Sequence, residues 1–135
     1  MKLLTSILFM IVIGSCVSDD GNDQSSGVII KESIYAQTET DNYTITEASI
    51  EGDILNVTIQ SSGCDGSLWE AKLVDSGAIA ESYPVQRFAK VSLTNTEMCD
   101  AIVTRSFTFD ITPLRVEDQL YLNLEGWDGQ LHYDF

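Results

Sequence analysis

His132 is the chain's single histidine. It falls between Leu131 and Tyr133, on the polar parity of an alternating stretch. A histidine base needs a nucleophile within hydrogen-bond reach and an acid to orient it. Serines and aspartates are plentiful, but no G-x-S-x-G elbow occurs. His132 therefore reads as an exposed strand residue, and no catalytic residue is named. With 21 Asp and Glu residues in the chain, carboxylate pairs are inevitable and say nothing for glycoside hydrolysis. A P-loop, a G-x-G-x-x-G fingerprint and H-E-x-x-H are all missing, so no cofactor is expected.

The cysteines and tryptophans are more informative. Cys64 and Cys99 both sit in acidic, turn-like sequence. Two such cysteines with one histidine cannot supply four zinc ligands, so no metal is expected. In an oxidising compartment the pair reads as a disulfide, and in a reducing one as two buried thiols. Trp127 lies in the turn Glu125-Gly126-Trp127-Asp128-Gly129. Exposed, its indole stacks on a sugar ring while Asp128 bonds the hydroxyls. Buried, Trp127 and Trp69 simply cap the ends of a small core.

Charge excludes other classes. The chain has 135 residues, with 7 Lys and Arg against its 21 acidic residues, for a formal charge of −14. Nucleic acid is excluded as a partner, since phosphate binding depends on clustered Lys and Arg. Adhesion to anionic lipid through a basic patch is excluded likewise. Hydrophobic residues make up 44%, enough to build a core, and the length suits one domain.

The N-terminus reads as an address. Lys2 precedes an apolar run, Leu3 to Ile13, broken only by Thr5 and Ser6. The run is too short to span a bilayer, and its layout is that of a signal peptide over residues 1–15. The closing Ile13-Gly14-Ser15-Cys16 resembles the lipobox of bacterial lipoproteins. That resemblance implies lipidation of the Cys16 thiol and cleavage before it. Two or more acyl chains then anchor the protein stably, the membrane being a partner through Cys16 alone. Residues 16–27 follow as a polar, acidic tether. Within it, Ser18-Asp19-Asp20 resembles the export signal of surface lipoproteins in the Bacteroidota. A plain spacer is the alternative. A calcium loop through Asp19, Asp20, Asn22 and Asp23 lacks the EF-hand spacing and a closing Glu.

From Val28 to Phe135 the hydrophobic period is two. Leu55, Val57 and Ile59 alternate with Asn56, Thr58 and Gln60, and Leu120, Leu122 and Leu124 with Tyr121 and Asn123. Turns are marked at Gly52-Asp53, Ser62-Gly63, Asp75-Ser76-Gly77 and Asp128-Gly129. The expectation is an all-β antiparallel sandwich, or else a small barrel, with strands near 28–38, 43–50, 54–60, 67–74, 85–93, 101–111, 119–125 and 130–135. Single helical turns are expected at Thr96–Asp100 and at Pro113–Asp118, the latter capped by Thr112.

Gly63-Cys64-Asp65-Gly66, Trp69-Glu70, Leu93-Thr94-Asn95, Cys99 and Phe107–Leu114 together resemble small uncharacterised lipoproteins of the Bacteroidota. The resemblance implies an all-β lipoprotein domain with a Cys64–Cys99 disulfide and no assigned activity. The expected function is a non-enzymatic binding or accessory module of the outer membrane, on its outer face or else its periplasmic face, whose ligand is an unknown protein or glycan. Trp127, Trp69 and Asp128 are the candidate ligand residues. A small extracellular hydrolase, or a protease inhibitor with a loop at Gly77–Pro84, is the remaining alternative.

Overall fold

Alternating side chains become strands wherever one parity can be buried and the other wetted. The computed structural model describes residues 25–135 and shows this over most of its length. The signal segment, Cys16 and the tether up to residue 24 lie outside the described residues.

The elements run β1 (Ser25–Ser26), β2 (Val28–Ile30), α1 (Glu32–Gln37), β3 (Thr44–Glu51), β4 (Ile54–Gly63), β5 (Glu70–Ala80), β6 (Val85–Thr94) and β7 (Ala101–Asp110). A 3₁₀ turn (Thr112–Leu114), β8 (Gln119–Leu124) and β9 (Leu131–Asp134) complete the chain. One sheet has the order β1-β7-β4-β3 and the other β2-β5-β6-β8-β9. They form an open sandwich rather than a barrel. Leu55, Val57, Ile59, Phe107 and Phe109 from the first sheet are buried with Leu73, Val91, Leu120, Leu122 and Leu124 from the second. Each fully buried side chain of this size contributes about 1.5–3 kcal/mol. No described helix is long and apolar enough to cross a membrane.

The sandwich is not purely antiparallel. β1 with β7, β2 with β5 and β6 with β8 are parallel pairs. The chain leaves β6, crosses to the other sheet as β7, and returns as β8 beside β6. Alternation has the same period in both orientations, so sequence cannot tell them apart.

Five local expectations are corrected. The segment 28–38 is a short strand and then α1, not one strand. Lys90 of β6 explains the helix: its Nζ donates to the Tyr35 and Thr38 carbonyls at 3.0 and 3.3 Å and lies 4.3 Å from the Tyr35 ring centroid. The helix C-terminus is thus capped from 52 residues away, which no local pattern reveals. Asp75-Ser76-Gly77 is no break either. β5 runs through it with a bulge between Asp75 and Ile79, so the loop once expected at Gly77–Pro84 shrinks to residues 81–84. Thr96–Asp100 is irregular instead of helical. Thr112 lies inside the 3₁₀ turn, where its N–H and hydroxyl both bond the Asp110 carboxylate. Finally, Ser25 and Ser26, read as tether, pair with Thr108 and Phe109.

Candidate functional site

One end of the sandwich is closed by a covalent strap. β4 ends at Gly63, and residues 64–69 carry the chain across to β5. The strap of residues 95–100 joins β6 to β7. A Cys64–Cys99 disulfide ties the loop to the strap, with Cα atoms 4.9 Å apart.

A carboxylate lies beneath that bond. Glu97 Oε1 accepts the backbone N–H groups of Cys64 at 2.7 Å, Asp65 at 3.2 Å and Gly66 at 2.9 Å. Its Oε2 accepts Leu68 N–H at 3.0 Å. Successive amides converging on one anion form a nest, and bonds of this kind are charge-assisted. The Leu68 amide foremost, then those of Gly66, Cys64 and Asp65, hold the Glu97 carboxyl below the usual glutamate range. A depressed carboxyl pKa stabilises the fold above the unfolded value, about 4.3. That contribution disappears as pH falls through the folded value. E97Q should therefore melt below the parent at pH 7, because an amide nitrogen would face a backbone donor. The gap should close below about pH 4. Thermal melts from pH 7 to pH 3 check this, and a gap independent of pH would refute the carboxylate's role.

Two glycines make room for the nest. Gly66 has φ +76°, and a Cβ there would stand 2.5 Å from Arg105 Cδ, whose guanidinium donates to the Gly66 carbonyl. A Cβ on Gly63 would stand 2.6 Å from Glu97 Oε1 and 3.1 Å from Trp69 Nε1. Gly66→Ala should cost about 2 kcal/mol or more, from left-handed strain plus the clash. Gly52→Ala, at φ +58° with open space around it, should cost only the strain. Urea titrations of the two variants test the difference, and equal losses would mean that Arg105 simply moves aside.

Around the strap, large apolar side chains face solvent. Leu68 is 60%, Met98 95% and Ile102 70% exposed. Met98 adjoins Cys99, Leu68 bonds Glu97 through its backbone, and Ile102 pairs with Ser62 at the start of β7. Beside Ile102 a hollow of about 370 Å³ is lined by Asn42, Thr44, Gln60, Ser61 and Ser62. A larger one, about 550 Å³, lies between α1 and the β5 bulge, with Ile30, Tyr35, Ala36 and Ala78 on its walls.

The candidates named from sequence scatter. Trp69 is 1% exposed, its Nε1 buried without a hydrogen-bond partner. It is a core residue, which removes it as a ligand platform. Its apolar neighbours on the inner parity favour the interior over solvent. Trp127 is half-buried against the core, with Asp128 exposed beside it. Neither tryptophan lines the hollows described above. His132 is exposed on β9, its Nε2 2.8 Å from Gln119 Oε1. Cys64 and Cys99 come together at the strap. Among the described residues, no three His, Cys, Asp or Glu side chains gather as a metal cage.

Sequence reasoning missed two polar clusters. Asp53, in the β3–β4 turn, accepts the Tyr133 hydroxyl at 2.5 Å and Arg115 Nη2 at 2.6 Å. Tyr133 first and Arg115 second pull its carboxyl below the usual aspartate range. In the core, Asp75 accepts Arg87 Nε at 3.1 Å and Nη2 at 2.8 Å. Asp75 occupies an inner-parity position after Ala71 and Leu73, as Arg87 does after Val85. Two opposite charges on facing inner parities of neighbouring strands were the available signal.

No family model matches this chain. No curated protein matches it either. Among solved structures it is similar to a DUF1344 protein of unknown function from Bacteroides vulgatus, with a TM-score of 0.52 and 16% identity over 82% of this chain. The chain spans about half of that structure, 55% of its length. At this identity the likeness establishes a shared all-β architecture.

Proposed function

We propose that the chain is a lipid-anchored, non-catalytic binding module of the bacterial outer membrane, facing outward, whose working end is the disulfide strap. The Ile13-Gly14-Ser15-Cys16 pattern supports the anchor, and the acidic tract after Cys16 supports the outward address. The observation that carries the binding role is the exposure of Leu68, Met98 and Ile102 around a crosslinked end. Large apolar side chains scattered singly over a surface are ordinary, whereas several gathered at one end of a small domain mark a surface that a partner covers. The strap limits the ordering entropy lost when that end is covered.

Mass analysis of Cys16 tests the anchor, the expected adduct being diacylglyceryl. Protease shaving of intact cells tests the outward face, and full protection would overturn it. For the binding role, a photo-crosslinking amino acid replaces Met98 in growing cells. Tyr83, exposed in the turn before β6, serves as the control position. A discrete adduct from position 98 and none from position 83 supports the reading. Equal labelling, or none, removes it.

A further inference from the structure

Sheet edges are templates for a further strand, and folded proteins usually blunt them. Most edges here are blunted. β3 carries a register shift between Ile45 and Glu47, with Glu47 and Glu51 exposed along it. β9 is four residues long and ends on Asp134. β5 is covered by β2 at Leu73–Asp75 and then bulges. β7 differs. β1 covers only Thr108 and Phe109 of it. Among the described residues no strand lies beyond Ala101–Phe107, and this stretch pairs in unbroken register with β4 on its other side. It has no bulge and no proline. Its outward residues Ile102, Thr104 and Ser106 are uncharged, and Arg105 is turned back onto the Gly66 carbonyl.

Resting on the binding role above, we propose that the Ala101–Phe107 edge takes up an extended, cationic segment of a partner protein as an added strand of the first sheet. Main-chain hydrogen bonds hold such a segment, and alternate side chains set preference. β-Branched residues on the segment pack against Ile102 and Thr104. Charge selects the occupant. The chain carries −14, and Asp65 and Asp100 are exposed at the strap where this edge begins. A basic segment is drawn to that field, whereas a second copy would bring −14 against −14.

The probe is a synthetic peptide of alternating threonine and valine with two lysines at each end. The protein is residues 16–135 with Cys16→Ser. Amide hydrogen exchange followed by NMR should slow about tenfold or more at alternate amides of residues 101–107 when the peptide is added. Backbone N-methylation of the peptide should abolish the effect. So should the variant Ile102→Lys/Thr104→Lys, whose side chains are exposed and whose melting should match the parent. Peptide binding without slowing at β7 overturns strand addition and leaves the role of the strap standing. Slowing already present in the free protein overturns it too, the edge then being filled by residues 16–24 if independent of concentration and by a second copy if not. Loss of the Met98 crosslink in cells, by contrast, strikes the binding role itself.

Discussion

Arg87→Met should destabilise the domain by about 3–5 kcal/mol, a large part of the total stability of a fold this size. Asp75 and Arg87 are 0% and 5% exposed. Arg87 stands opposite Leu122 of β8 and between Val85 and Ala89 on the inner face of β6. Water cannot solvate the carboxylate once the guanidinium is gone. The Gly77 N–H, at 2.8 Å from Oδ1, would be its one remaining donor at the bulge. Removing both charges is a different experiment. Arg87→Met with Asp75→Leu deletes the desolvation cost of two ions along with their attraction. The double variant should therefore return to within about 2 kcal/mol of the parent, the residue being the unpaired Gly77 amide. Denaturant titration of both variants and the parent decides this. A single variant that loses under 1 kcal/mol would mean that solvent reaches the carboxylate.

Cys64→Ala with Cys99→Ala should cost about 4 kcal/mol on the loop-entropy relation, for a sequence separation of 35. The loss should not stop at chain entropy. Glu97 stands two residues before Cys99, so the bond that closes the loop also holds the carboxylate in its nest. Without it, residues 95–100 keep fewer attachments, among them the Asn95 side-chain bond to the Ser62 carbonyl at 2.6 Å. E97Q should therefore cost much less in the disulfide-free chain than in the oxidised one, a coupling that a double-mutant cycle measures. Strict additivity would show that the nest forms unaided.

Much of the fold is legible in the sequence. The alternation of Leu55, Val57 and Ile59, and of Leu120, Leu122 and Leu124, places those residues inside, where they are buried. The hairpins at Gly52-Asp53 and Asp128-Gly129 form where turn chemistry asks for them. What escaped depends on partners distant in the chain. α1 is capped by Lys90, and the strap's shape comes from amides gathered around Glu97. Neither leaves a local period. The disulfide was legible because, with Cys16 of the three cysteines read as the lipid site, the other two leave one pairing. The apolar end was not, since Leu68, Met98 and Ile102 obey no pattern and are brought to one end by the disulfide, the Glu97 nest and the β4–β7 ladder.

Gly27 alone separates β1 from β2, and these two strands belong to different sheets. Residues 25–30 thus suture the two layers along one seam, where β1 also approaches β5. A single endoproteolytic nick at Gly27 would detach β1, and with it the cover of Thr108–Phe109 of β7, while β2 stays joined to the domain through α1. The nicked domain would keep its core while baring the whole outer edge of β7 from Ala101 to Asp110, the geometry from which ordered aggregates grow. Protection of that edge then rests on the peptide bonds of a short seam rather than on the packing of the interior.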